Sequence, residues 1–144
     1  MHSIETFWAS FCNSRGESLS YKEAFQFGAD PNKLAALVVA GHKTATCSNF
    51  LSYEIENDLL PQIGELSIIL DGDGTPVAVI EITNVFVRPF KDIPESFALA
   101  EGEGTYEQWY DGHVEFFTNY LADQQRNFTV NELTVCEEFI VVYK

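Results

Sequence analysis

Apolar positions recur along the chain with two different periods, and the change from one to the other sets the expected elements. Ile4, Phe7, Trp8 and Phe11 follow the i, i+3, i+4, i+7 spacing of one helix face, which predicts an amphipathic helix over residues 4–13. A polar stretch, residues 14–20, follows it. A second helix is punctuated at both ends. Asp30 suits the N-cap, Pro31 the first helical position and Gly41 the residue just past the end. Leu34, Leu37 and Val38 form its inner stripe. Residues 49–57 read as a short helix. Beyond Pro61 and Gly64 the period becomes that of strands. Residues 65–70 form a short strand, Asp71-Gly72-Asp73-Gly74 a hairpin turn, and residues 77–87 a long β-branched return strand. Pro89 and Pro94 bracket its exit, and a short helical stretch starting at Asp92 or Pro94 runs through residues 97–100. Glu101-Gly102-Glu103-Gly104 breaks the pattern. Residues 106–121 are predicted as the third main helix, with Trp109, His113, Phe116, Phe117 and Tyr120 on one face and Gly112 as its weak point. Leu133–Tyr143 is the last strand. Strands paired through a hairpin, with helices segregated from them, give an α+β class: a small curved or barrel-like antiparallel sheet flanked by helices.

Composition narrows what such a domain can do. A length of 144 residues, 46% hydrophobic and 21% charged, fits one globular domain with a real core, and twelve Phe, six Tyr and two Trp make that core aromatic. No apolar run approaches the roughly 20 residues of a membrane span. Met1-His2-Ser3-Ile4-Glu5 shows no basic start followed by an apolar stretch, so the expected location is the cytoplasm, with no membrane partner. Cys12, Cys47 and Cys136 are an odd, widely spaced set without a CxxC or a His/Cys pair at ligand spacing. They predict neither a disulfide framework nor a metal or other cofactor, although Cys47 sits inside a candidate segment. The net charge of −14, with 8 basic residues against 22 acidic, opposes general binding to DNA or long RNA, which depends on neutralising phosphates. It leaves room for a local site that holds one base, and favours a small or neutral substrate over a polyanion. Nothing in the pattern fixes an oligomeric state.

Three constellations can carry chemistry. In Gly41-His42-Lys43-Thr44-Ala45-Thr46 a helix ends at a glycine, with a lysine and a threonine just beyond. In an extended segment Thr44 and Thr46 share a face, whereas a turn at Lys43 brings Lys43 and Thr46 together. A lysine amine beside a hydroxyl acts as a base when burial lowers its pKa. The plainer reading is a solvated lysine at a helix end and threonines that begin a strand. In Glu101-Gly102-Glu103-Gly104, paired carboxylates on a mobile backbone can transfer protons, or can simply mark an acidic turn before a helix. In Trp109…His113…Phe116-Phe117, the histidine lies on an apolar face, where it is either a hydrogen-bonded core residue or a catalyst, and Trp109 or Tyr110 can flank a pocket. Asp71-Gly72-Asp73-Gly74 is not a calcium loop: counted from Asp71, the glycine position holds Pro76 and the bidentate glutamate position holds Ile82.

The order of these motifs, with Pro61-x-x-Gly64, Glu81-Ile82-Thr83-x-Val85, Phe90 and Phe97-Ala98 between them, resembles the ASCH domain (activating signal cointegrator homology) family, in its stand-alone bacterial branch. The resemblance covers roughly residues 25–143 and leaves residues 1–24 as a helical extension of one domain. It implies a PUA-like barrel with a cleft between barrel and helices, and binding of RNA or nucleotides. Some small members hydrolyse N4-acetylcytidine to cytidine and acetate, and one related member is assigned ribonuclease activity. Carried over by position, the amidohydrolase lysine matches Lys43, its threonine Thr46 and its glutamate Glu101, with Glu103 as the alternative. The resemblance places Gly41, His42, Thr44, Ser48, Glu103, Trp109 and His113 at the substrate. A small nucleoside-like substrate or RNA is thus the expected partner, bound either for hydrolysis or without catalysis. A ribonuclease would use His42 or His113 with Glu101. This chain departs from its relatives at Thr105, where an acidic residue is frequent, and at Tyr110 and Ser48, where arginines occur.

Overall fold

A computed structural model describes residues 3–28 and 30–144; Met1, His2 and Ala29 lie outside the described residues, and with them part of the opening segment read for a leader. Helix α1 (Ile4–Arg15) begins at Ser3, whose hydroxyl accepts from the Thr6 N–H, and ends at Gly16 in the left-handed conformation. Strand β1 (Glu23–Gln26) leads to α2 (Pro31–Val39), capped by Asp30. Next come β2 (Ala45–Asn49) and α3 (Phe50–Ile55), then β3 (Leu66–Leu70) and β4 (Pro76–Pro89) joined by the expected hairpin. Helices α4 (Glu95–Ala100) and α5 (Tyr106–Asp123) precede β5 (Leu133–Tyr143).

The five strands form one sheet in the order β1-β3-β4-β5-β2, antiparallel except for the parallel β1–β3 pair. Register shifts at Ile69/Leu70, Val79/Ile80 and Ile82/Asn84 bend the two central strands, and the sheet curls into a half-barrel. Strand β1 has only four residues and no periodicity of its own, so only its pairing with β3 identifies it. The alternation of β3, β4 and β5 divides their apolar residues between two faces. On the concave face, Leu34 and Val38 of α2 pack against Ile69, Ile80, Ile82 and Phe139. On the convex face, Phe7 and Phe11 of α1 meet Leu66, Ile68 and Val79. Helices α4 and α5 cover the β2–β5 end, where Phe90, Phe97, Trp109 and Phe117 pack with Ala45 and Cys136. The buried stripe of α5 runs Trp109, Phe117, Leu121; Phe116, expected on the inner face, is 60% exposed.

One backbone contact positions the site. Thr44 N–H donates to the Ala100 carbonyl at 2.8 Å, and Gly102 lies so close that an added Cβ would stand 2.5 Å from the His42 carbonyl oxygen. Gly102 also has φ +74°, a conformation that disfavours every other residue. Gly102→Ala is therefore expected to destabilise the protein by about 2 kcal/mol or more, combining left-handed strain with overpacking. Gly41→Ala, at φ +81° with open space around it, incurs only the conformational part. Urea unfolding of the two variants checks the difference.

Candidate active site

Strand β2 is an edge of the sheet. Its ladder begins with Phe139 N–H donating to the Thr44 carbonyl at 3.0 Å, so Thr46 and Ser48 take the hydrogen-bonded positions opposite β5. Ala45 and Cys47 therefore turn their backbone groups to the open edge. A cleft of about 380 Å³ lies there, within the range of about 300–1,000 Å³ typical of small-ligand sites. Lys43, Thr46, Cys47 and Ser48 line it from the β2 side, Glu101 and Glu103 from the loop after α4, and Gln108, Trp109, His113 and Phe116 from α5. A separate depression of about 290 Å³, lined among others by Phe50, Arg126 and Glu132, carries none of these groups.

At the floor of the cleft is a buried ion pair. Lys43 is 2% exposed and Glu101 1% exposed, with Nζ 3.3 Å from Oε1. The same ammonium donates to the Ala45 carbonyl at 3.0 Å and reaches Glu103 Oε2 at 3.3 Å, and it lies 5.0 Å from the Phe27 ring centroid. Lys43 Nζ is thus surrounded by oxygen acceptors. Glu101 Oε2 accepts from Trp109 Nε1 at 2.7 Å and lies 3.5 Å from His113 Nε2. His113 Nδ1 is 2.8 Å from the Trp109 carbonyl, which can only accept, so Nδ1 carries hydrogen and Nε2 faces the carboxylate. Burial pushes the Glu101 carboxyl above its ordinary value, while Lys43, His113 and the Trp109 N–H pull it back. Burial, then Glu101, push the Cys47 thiol well up. A thiol raised in this way is a poor thiolate nucleophile.

Ligand atoms of Cys47, Glu101 and His113 lie within 4.8 Å of one another, a grouping that sequence spacing gave no sign of, because three elements supply it. Both Glu101 oxygens are already engaged by Lys43, Trp109 and His113, so a metal ion would have to compete with the lysine for the carboxylate.

Of the residues expected at the substrate, Lys43, Thr46, Ser48, Glu101, Glu103, Trp109 and His113 line the cleft, whereas Gly41, His42 and Thr44 are exposed and lie outside it. The latter three end α2 and fasten residues 100–102 beside β2 through their backbone, helped by the Thr44 hydroxyl, which also donates to the Ala100 carbonyl at 3.4 Å. Trp109 is 2% exposed and stacks on Phe90 and His113, so it holds Glu101 rather than offering a face to a ligand. Sequence reasoning missed Phe27 and Gly28, whose segment has no periodic signal. The departures have local roles: Thr105 and Gln108 form the capping box of α5, Tyr110 packs on Phe90, and Ser48 bonds the Tyr53 hydroxyl at 3.0 Å.

A second cavity, of about 270 Å³, occupies the concave face of the half-barrel and shares Phe27, Gly28, Thr46 and Ser48 with the cleft. Glu137 of β5 lines it. Burial, reinforced by Glu23 and Glu65 and opposed by Lys22, raises its carboxyl from 4.5 to about 7. The folded protein then holds a proton that the unfolded chain has released between those values, so this group lowers stability as pH rises through that window. Glu137→Gln is expected to gain up to about 3 kcal/mol at pH 8 and little at pH 4.5, measurable by urea unfolding at both pH values.

A curled half-barrel with helices over one end and a polar cleft at its edge strand is a PUA-like α+β architecture. The family model for the ASCH domain matches residues 23–143, and the chain belongs to that family, which is thought to bind RNA. A crystal structure of protein EF3133 from Enterococcus faecalis V583 is 40% identical, with a TM-score of 0.90 and 97% of this chain and 88% of that one covered. An ASCH domain from Lactobacillus crispatus JV V101 is 32% identical, also at TM-score 0.90, covering 97% and 94%. Hypothetical protein PH0355, 15% identical at TM-score 0.54 over 86% of this chain and 100% of that one, shares the fold alone. No curated protein matches the chain. Among the described residues no helix is long and apolar enough to cross a membrane.

Proposed function

We propose that this protein hydrolyses a small amide, the N-acyl group on the exocyclic amine of a cytosine-type base, with N4-acetylcytidine as the type substrate. The observation that supports this reading is that Lys43, Thr46 and Glu101 line one cleft, with the ammonium and carboxylate buried 3.3 Å apart. Removing two such ions from water costs several kcal/mol each, and perturbed buried pairs of this kind concentrate at functional sites.

In this mechanism Thr46 Oγ attacks the acyl carbon. Its proton passes to Lys43 once a Lys43 proton has moved to Glu101. Glu101, coupled to His113 Nε2, then protonates the departing amine, leaving an acyl ester on Thr46. Water cleaves that ester, returning the threonine hydroxyl and releasing the carboxylic acid. The outward-facing N–H of Cys47, which lines the cleft, is available to the oxyanion, where one donor is worth about 3–4 kcal/mol. Phe27 and the exposed Phe116 flank the space for a base.

The charge of −14 and the enclosure of Lys43 by two carboxylates weigh against a phosphate-gripping RNA module. His42 lies outside the cleft, which leaves only His113 for the ribonuclease reading. The test is acetate release from N4-acetylcytosine and N4-acetylcytidine by the purified protein. Thr46→Ala is expected to abolish release and Thr46→Ser to retain part of it; absence of release by the folded wild type would end this reading.

A further inference from the structure

The second cavity is polar in an unusual place. Faces of curled sheets that carry a helix are normally packed, and here Ile69, Ile80, Ile82 and Phe139 pack against α2 on the same face. Beside them the face opens into the cavity, and polar residues of three strands point into it. Ser67 of β3 is 6% exposed, yet its hydroxyl has no hydrogen-bond partner among the described residues. Glu137 of β5 is half-buried, and its carboxylate makes neither a hydrogen bond nor an ion pair among them. Ser48 of β2 contributes the hydroxyl pair with Tyr53. A hydroxyl and a carboxylate that face the cavity without a protein hydrogen-bond partner are free to bind a ligand that supplies hydroxyl groups.

The position of the cavity indicates whose hydroxyls these are. It adjoins the catalytic cleft across Thr46 and Ser48, so a molecule seated on Lys43 and Glu101 continues into it. Carboxylates of Glu23, Glu56, Asp58 and Glu65 stand around it with Lys22 as the one cation in its lining, and Lys22 is already 3.7 Å from Glu65. That field repels a phosphate ester.

Resting on the amidohydrolase reading, we infer that this cavity is a sugar subsite: it takes the ribose of a nucleoside substrate, Glu137 and Ser67 bind the sugar hydroxyls, and Glu137 turns away the 5′-phosphorylated form. Acidic side chains serve the same purpose toward ribose hydroxyls in dinucleotide sites.

The experiment is calorimetric titration of the full chain at pH 8.5, where Glu137 is ionised, with cytosine, cytidine and cytidine 5′-monophosphate, in wild type and Glu137→Gln. None of the three can be hydrolysed, so binding is read apart from turnover. The wild type is expected to bind cytidine about tenfold more tightly than cytosine and about tenfold more tightly than the monophosphate. Glu137→Gln is expected to narrow both ratios to about threefold or less, and added salt to narrow the second in wild type. Equal binding of cytosine and cytidine, wild-type ratios persisting in Glu137→Gln, or no binding of any of the three would overturn the subsite. Hydrolysis of an acetylated free base together with any of those results leaves the hydrolase reading standing. The expected ratios without any hydrolysis would keep the subsite and remove the hydrolase.

Discussion

Lys43→Met is expected to cost about 3–5 kcal/mol of folding stability at pH 8, because it removes one partner from a pair of which neither member is more than 2% exposed. Glu101 would then keep only the Trp109 N–H and His113 around a buried negative charge. Its carboxyl, already raised by burial, rises further once the ammonium that lowered it is gone. The folded variant therefore binds a proton that the unfolded chain has lost, and its deficit shrinks as pH falls toward the ordinary carboxylate value. Urea unfolding at pH 8 and pH 5 should show the gap to wild type closing at the lower pH. The double variant Lys43→Met/Glu101→Leu removes both charges and is expected to recover most of the loss, as apolar replacements of buried ion pairs do.

Glu101→Gln is expected to lower turnover by about a hundred- to ten-thousand-fold, the contribution of one general acid or base, while the protein stays folded. The amide keeps an oxygen for Trp109 Nε1, and Lys43 keeps the Ala45 and Glu101 carbonyls and the Glu103 carboxylate at 3.0–3.5 Å. What disappears is the proton carrier. Glu103→Gln should fall well short of that loss: Glu103 is partly exposed and touches only Lys43 among the three proposed catalytic groups. Initial rates with near-ultraviolet circular dichroism as the folding control separate the two variants. A Glu103→Gln enzyme that is the more impaired of the pair would transfer the proton-carrying role to Glu103.

The central sheet was readable because β3, β4 and β5 combine β-branched runs with a strong turn at Asp71-Gly72-Asp73-Gly74, and the helices because α1 and α5 keep an apolar face and Asp30 and Pro31 mark the start of α2. Strand β1 was not, because four residues that pair in parallel with a distant strand leave no local pattern. The site divides in the same way. The Lys43–Thr46 spacing marks a candidate, but Glu101 lies 58 residues from Lys43, and only the family resemblance linked them in advance. Cys47 and His113 join the same carboxylate through β2 and α5, a tertiary coincidence with no spacing to find. Gly41, His42 and Thr44 share the motif but hold residues 100–102 in place, chiefly through their backbone, a distinction that side-chain reasoning does not make. Phe116 looked buried by period and stands at the rim.

Conversion of N4-acetylcytidine to cytidine, followed by chromatography for the wild type alongside Lys43→Met, Thr46→Ala and Glu101→Gln, tests most directly whether these three side chains form one hydrolytic unit. The expected result is steady cytidine formation by wild type and a collapse of the rate in all three variants, with Thr46→Ala and Glu101→Gln remaining folded. Cytidine formation that survives Thr46→Ala and Glu101→Gln, or that never occurs with folded wild type, would contradict it.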